Sequence, residues 1–398
     1  MNFTTLHDIS VKGKRVLLRA DLNVPLNENG EITDDSRIRA ALPTINYVLG
    51  QGGSVVLMSH LGRPDGKRVA EFSLAPVAKR LSALLGKEIT LAPDCIGDVV
   101  EKMASRLNPG EILLLENLRF YPGEESPEEH PDFIEKLSRI GDVYINDAFA
   151  TAHRKHASTF YLPEHYQVAA GGFLIEKEVL ILTNLLTQAR PPFYAIIGGS
   201  KISSKIGILD ALLSKVDSLF IGGGMAFTFL KAKGLNVGNS LIDEKHIEMA
   251  KQIIKRCKNR SIPLYLPVDV VIAETLSETA PTLEASVEEG IPNGWIGADI
   301  GPKTIEIWKT ALQAASTIFW NGPLGVFELK PFANGTREIA RTLADSDAMT
   351  IVGGGDSAAA VISMGFAQKI TRLSTGGGAT LEFIEFGTLP ALEALAKK

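Results

Sequence analysis

The chain has 398 residues, of which 45% are hydrophobic, 22% charged and 7% aromatic, the usage of an ordinary globular protein of more than one domain rather than a disordered or fibrous one. Forty-one Lys and Arg against 46 Asp and Glu leave a net charge of −5, so no overall basic field is present to hold nucleic acid or an anionic membrane. Cys95 and Cys257 are too few and too far apart for a disulfide framework or a structural zinc site, and both read as buried small residues. The segment from Met1 to Asp8 has no basic stretch followed by an apolar one, and no apolar run approaches the ~18 residues of a spanning helix, so the chain is expected in the cytoplasm.

Short runs rich in Val, Ile and Leu begin at Val16–Arg19 and continue with Ser54–Ser59, Ile112–Leu115 and Val143–Ile145. Stretches long enough for a helix separate them, which predicts a parallel α/β sheet. Glu176–Ala189 reads as a helix broken by Arg190-Pro191-Pro192, and it is taken as the connection between two halves. The rhythm then resumes at Phe193–Ile197, Ser218–Ile221, Pro263–Leu266, Thr317–Trp320, Met349–Val352 and Ile370–Leu373. Two doubly wound sheets account for the length. The segment Thr388–Lys398 reads as an amphipathic helix with cations in its last turn.

The two halves end their strands differently. In the first, the runs lead into Arg19-Ala20-Asp21-Leu22-Asn23, His60-Leu61-Gly62-Arg63, Glu116-Asn117-Leu118-Arg119 and a segment ending His153-Arg154. Ligands of open α/β sheets bind beyond the carboxyl ends of the strands, so these side chains converge on one crevice, with Arg37 joining from a helix start. Guanidinium forks suit phosphate and carboxylate. Any one of these arginines could be an ordinary surface residue; their recurrence after successive strands argues for a shared anion.

In the second half the strand ends carry glycine, in Gly198-Gly199-Ser200-Lys201, Gly222-Gly223-Gly224, Gly353-Gly354-Gly355-Asp356 and Gly376-Gly377-Gly378. Main chain without a Cβ can bring N–H groups against phosphate oxygens at a helix start, which describes a nucleotide phosphate cradle, although glycine after a strand also serves plain tight turns. No G-x-x-x-x-G-K-[ST] loop occurs. Lys201 and Lys205, four apart, are expected on one face of a first helical turn, where cations oppose the macrodipole and suit anions. Asp356 is placed either to anchor Mg²⁺ beside a phosphate by a single carboxylate or to cap a helix.

At these residues the sequence closely resembles the phosphoglycerate kinase family. The matching segments include Arg19–Pro25, Ser59–Pro64, Glu116–Phe120, Asp147–Arg154, Ile197–Lys205, Gly222–Ala226, Trp320–Glu328 and Gly353–Ser357, in order over nearly the whole chain. The resemblance implies two Rossmann-like lobes, each a parallel sheet covered by helices. The first (1–172) would bind 3-phosphoglycerate or 1,3-bisphosphoglycerate, a hinge helix (173–190) would follow, the second (191–379) would bind ADP or ATP with Mg²⁺, and a tail (380–398) would return to the first. It implies reversible phosphoryl transfer in glycolysis and gluconeogenesis by a monomer. Carried over by position, Asp21, Asn23, Arg37, His60, Leu61, Gly62, Arg63, Arg119 and Arg154 would hold the glycerate substrate. Lys201, Lys205, Gly222, Gly223, Pro323, Glu328, Gly354, Gly355, Asp356 and Ser357 would hold the nucleotide, with Asp356 on magnesium. Arg37, Lys201, Gly354 and Gly376 would act at the transferred group. Ser357 stands where the family usually has Thr, Ala150 where Gly is frequent and Ser200 where Ala is frequent.

Two rival readings remain. A nicotinamide-dependent dehydrogenase fits Gly353-x-Gly355-x-x-Ala358 but lacks an acidic residue near Ile370–Gly378 to bind ribose. A two-lobed binding protein closing on an anion leaves Lys201, Lys205 and Asp356 without a purpose.

Overall fold

The computed structural model describes residues 3–374 and 376–396. The chain divides into two compact units, one running to Ile181 and taking in the tail from Thr388, the other spanning Leu182–Gly387.

The first unit follows the expected alternation: β1 (Arg15–Ala20), α1 (Ser36–Gly50), β2 (Ser54–Met58), α2 (Ala75–Leu85), β3 (Thr90–Leu91), α3 (Asp98–Ser105), β4 (Ile112–Leu114), α4 (Pro131–Ser138), β5 (Val143–Asp147), β6 (Ala169–Gly171) and the start of α5 (Phe173–Gln188). The strands pair in parallel in the order β3-β4-β2-β1-β5-β6. Buried residues in α1, Ile38, Ala41, Ile45 and Val48, recur at three- and four-residue spacing, so one face of the helix packs with Val16, Leu18 and Ala20 of β1 in a single core cluster. Chain connections run to one side from β1 and to the other from β5, and the crevice favoured for ligands lies at such a reversal, beyond their carboxyl ends.

The second unit comprises β7 (Phe193–Ile197), α6 (Ile206–Leu212), β8 (Ser218–Ile221), α7 (Met225–Ala232), α8 (Ile247–Asn259), β9 (Leu264–Tyr265), β10 (Asp269–Ala273), β11 (Leu283–Ser286), β12 (Ile296–Ile300), α9 (Pro302–Leu312), β13 (Thr317–Asn321), α10 (Asn334–Ala344), β14 (Met349–Gly353), α11 (Gly355–Ser363), β15 (Arg372–Ser374) and α12 (Gly378–Phe386). Its six-stranded sheet has the order β15-β14-β13-β7-β8-β9, and the reversal falls between β7 and β13. A separate antiparallel sheet, β11-β10-β12, is an addition to the two sheets expected. Its outer strand is mostly exposed, with Leu283 at 56%, so no apolar alternation announces it. Its two other strands fasten it to the helices. Asp269 accepts the N–H groups of Lys303 (2.9 Å) and Thr304 (2.7 Å) at the start of α9, and Asp299 accepts that of Gly335 (2.7 Å) at the start of α10.

Three further expectations are corrected. The strand expected at Ile370–Leu373 begins only at Arg372, because Thr371 exchanges side-chain to backbone bonds with Thr350 (3.0 and 3.1 Å) in place of a ladder pairing. The tail joins the first unit from Thr388 rather than residue 380, since α12 packs on α6, with the Glu385 carboxyl against Gly207. Its helix is short, α13 (Pro390–Ala394), held by Ala391 N donating to Ala152 O (3.0 Å) and Thr4 N donating to Leu395 O (3.1 Å). Lys397 and Lys398, the cations expected to end it, lie outside the described residues, as does Thr375. Cys95 and Cys257 are both buried and free.

Candidate active site

In the first unit the strand ends assemble a cationic group. Arg37, on the first turn of α1, reaches back to Asp21 after β1 and pairs with its carboxylate, whose other oxygen accepts the Asn23 N–H (3.1 Å). Asn23 in turn accepts the Gly62 N–H (2.9 Å), and the Gly62 carbonyl accepts from Arg119 Nη1 (2.9 Å). Arg119 also pairs with Glu125 (3.1 Å), while its Nε is buried with no partner. Leu61 is buried, and its carbonyl takes a bond from Asn117 Nδ2 (2.7 Å). Thus the residues expected after β1, β2 and β4 are brought into one hydrogen-bonded set.

Arg63 is exposed and Arg154 half-buried; neither side chain has a hydrogen-bond or ion-pair partner among the described residues. Arg154 nonetheless belongs to the group, since with Arg19 and Arg119 it helps to hold the His156 imidazole neutral, down at about 3, after burial itself. His60 is likewise pressed well below the ordinary range by burial and by Arg19, Arg119 and Arg37. Glu124, Ser158 and His156 are members with no signal in the sequence, whereas Arg19 was among the strand-end cations expected to converge there. Arg19 is the penultimate residue of a strand buried from Val16 onward, where a charge has to be paired inside the protein.

The second unit builds its strand ends from main chain. A Cβ on Gly198 would lie 2.2 Å from the Pro323 carbonyl oxygen, and one on Gly322 would lie 2.2 Å from that of Gly198. These loops therefore touch backbone to backbone, tied by Gly198 N to Asn321 O (2.8 Å) and Gly199 N to Pro323 O (2.9 Å). Gly222 and Gly223 join the same contact: N–H bonds run to Ile197 O (2.9 Å) and Leu324 O (3.1 Å), and a Cβ on Gly223 would lie 2.6 Å from Gly199 N. Most of the glycine is thus spent on letting loops meet. Gly355 has nothing within 4 Å of its Cβ position, and Gly199 meets only the Lys205 side chain at 3.6 Å.

Lys201 and Lys205 do not share a helical turn. Lys201 is extended and exposed, a short 3₁₀ turn (Ile202–Ser204) intervenes, and Lys205 precedes α6. Lys205 Nζ instead bonds Asn321 Oδ1, whose amide donates to Gly353 O (2.6 Å). Burial pulls the Lys205 ammonium down to about 8, against the opposing attraction of Asp356. At the head of α11, Gly354 is the N-cap residue at φ 100°, so Asp356 is no cap but an exposed carboxylate in the first turn. The first N–H groups of α11, from Gly355, Asp356 and Ser357, have no intrahelical acceptor and form an anion-seeking end. The buried Ser357 hydroxyl accepts the Gly322 N–H (2.6 Å). Gly376 is buried, its N–H on Ser374 Oγ (3.3 Å), and Glu328 is exposed in the loop after β13. Among the described residues no cluster of three His, Cys, Asp or Glu side chains could hold a metal by itself, and no helix is long and apolar enough to cross a membrane.

The sequence model of the family described as phosphoglycerate kinase matches residues 6–386. The chain belongs to the phosphoglycerate kinase family. A curated phosphoglycerate kinase from Chlorobium phaeobacteroides is 51% identical over 398 residues, covering 99% of this chain and 100% of its own, and one from Chlamydia abortus is 49% identical over 400, covering 100% and 99%. The solved phosphoglycerate kinase of Coxiella burnetii superposes with a TM-score of 0.86 at 41% identity, over 99% of this chain and 100% of that one. That of Pyrococcus horikoshii gives 0.85 at 32% identity, over 98% of each. Two helix-covered parallel sheets are the family's fold, as the sequence led one to expect.

Proposed function

We propose that the chain catalyses reversible phosphoryl transfer between the acyl phosphate of 1,3-bisphosphoglycerate and ADP, giving 3-phosphoglycerate and ATP, with the glycerate substrate on the first unit and the nucleotide on the second. Family membership supports the reaction, a phosphotransfer with a carboxyl group as acceptor. The observation that carries the division of labour is the contrast in strand ends: convergent guanidinium groups, two of them unpaired, in one unit, and a main-chain cradle with a helix start and two lysines in the other.

Both nucleophiles, a carboxylate oxygen or a terminal ADP oxygen, are anionic at neutral pH, so no proton has to be removed. The obstacle is charge, spread over three equatorial oxygens as the group moves in line. Arg37 and Lys201 are the cations assigned to it; pre-placed donors of this kind contribute ~3 to 4 kcal/mol each. Asp356, a lone exposed carboxylate, suits Mg²⁺ that arrives on the nucleotide and keeps most of its waters rather than a resident ion. When bound, the ion would neutralise phosphate charge.

Because the substrates are assigned to different units, transfer requires the units to approach, with α5, which contributes residues to both, as the hinge. Solution scattering should show compaction on forming the ternary complex; an unchanged radius of gyration would refute closure. The acidic net charge favours no nucleic-acid or anionic-membrane partner, and the family resemblance supports a monomer acting in the cytoplasm. The deciding assay supplies 3-phosphoglycerate, Mg²⁺ and ATP. ADP should form only when all three are present, and no ADP would sink the reading.

A further inference from the structure

Arg19 is 1% exposed, and each of its three nitrogens makes a hydrogen bond: Nε with Ser158 Oγ (2.9 Å), Nη1 with the Ala20 carbonyl, and Nη2 with His60 Nδ1 (3.1 Å). A guanidinium carries donors only and keeps its protons, so Nδ1 of His60 must offer a lone pair. An imidazolium has none to give, and a neutral imidazole that accepts at Nδ1 carries its proton on Nε2. That nitrogen has no hydrogen-bond partner among the described residues and, unlike Arg119 Nε, is not sealed from solvent.

The chain of bonds extends away from the imidazole. Ser158 Oγ lies 2.6 Å from Glu124 Oε1, and Ser158 N donates to Glu124 Oε2 (3.1 Å). A hydroxyl has one proton. Giving its proton to Glu124, Ser158 Oγ keeps its lone pairs for Arg19 Nε, so Glu124 and Ser158 hold the guanidinium in place, and the guanidinium, a donor only, sets the polarity at His60. Glu124 and Ser158 are both completely buried, and neither was among the residues the sequence marked.

We infer that Glu124, acting through Ser158 and Arg19, is a positioning residue that fixes His60 as the neutral tautomer protonated on Nε2, ready to donate to the anionic substrate. The alternative tautomer would set a lone pair against that anion, and this is what Arg19, held in place by Ser158 and the buried carboxylate, prevents. Beside burial and Arg19, the charges of Arg119, Arg37 and His156 also disfavour a proton on His60. The inference rests on assigning the first unit's cationic group to the glycerate substrate.

The test begins with the intact protein. A long-range ¹H–¹⁵N correlation spectrum should show His60 neutral with its proton on Nε2; a proton on Nδ1, or an even mixture, overturns the inference whatever the variants do. Ser158→Ala, which removes the acceptor of Arg19 Nε, and Glu124→Gln, which loosens Ser158, should each release Arg19 from His60 and yield mixed tautomers. Each should raise KM for 3-phosphoglycerate about tenfold while kcat stays within about twofold, the pattern of lost uniform binding. KM for ATP should not move. Unchanged spectra and KM in a folded variant refute the role of Glu124. Arg154→Ala separates this from failure of the underlying assignment: if it leaves 3-phosphoglycerate binding intact, the substrate is held elsewhere, whereas if it weakens binding and the relay variants do not, the relay alone is wrong.

Discussion

The first unit's sheet runs β3-β4-β2-β1-β5-β6 and the second's β15-β14-β13-β7-β8-β9, so in both the chain reverses direction beside the first strand of the unit. The loops at the two reversals share nothing chemically. After β1, β2 and β4 the first unit presents long charged side chains, held by Asp21, Glu125 and carbonyls such as that of Gly62. After β7, β8 and β13 the second presents backbone, packed so closely that Gly198 and Gly322 leave no room for a methyl group. Topology supplies a place for a ligand, and the residues grafted there decide which ligand it is. Side chains can reach a small acid from several directions, whereas a polyphosphate wants many N–H groups close together, which only bare main chain can deliver.

The sharpest way to break this contrast is to remove one cation from each side. Arg37→Ala and Lys201→Ala should each lower kcat by roughly a hundred- to a thousandfold with a much smaller rise in KM. Wild-type kcat in either variant would strip that residue of its role at the transferred group.

The next largest effect comes from the second unit's glycines that let loops meet. Gly198→Ala should destabilise by about 3 kcal/mol, or roughly 6 to 12 °C in melting temperature, because the new methyl meets carbonyl oxygens that cannot move independently. Gly355→Ala, in open space, should stay within about 0.5 kcal/mol and act on nucleotide affinity alone. Equal melting temperatures for the two would erase the distinction between contact-forming and open glycines.

Asp356→Asn should weaken Mg·ATP binding about tenfold while leaving metal-free ADP binding nearly unchanged, as expected for one carboxylate among water ligands. Calorimetry with and without Mg²⁺ separates these, and an equal loss in both would move Asp356 from the metal to the fold.

The smallest effect concerns pH. Lys205 is held at about 8 in the free protein, and a phosphate beside it would favour the charged form, so nucleotide binding above that pH must take up a proton. Affinity should then fall as pH rises past about 8, by at most about tenfold per pH unit, and Lys205→Arg should flatten the profile because arginine stays charged. A wild-type profile flat to pH 10 would show that this ammonium does not meet the nucleotide.

Much of this protein could be read from residue order. Apolar runs of three to six residues between helix-length stretches located the strands of the two large sheets except β3 and β6, because a buried parallel strand must be apolar on both faces. The cations and glycines that follow them were visible for the same reason: strand ends are fixed once strands are. What pattern could not reach were features decided by contact between distant segments. In the antiparallel sheet the exposed β11 lacks an apolar signature, and β10 and β12 are fastened by Asp269 and Asp299 to helices that start 33 and 35 residues further on, at Pro302 and Asn334. Lys205 turns from the expected helical face to Asn321, 116 positions away, and Ser158 joins Glu124 to Arg19 across 34 and 139 positions. Local sequence governs hydrophobic periodicity and turn chemistry, which act between near neighbours; the partner of a buried polar group is chosen only when the chain has closed around it and every donor must find an acceptor.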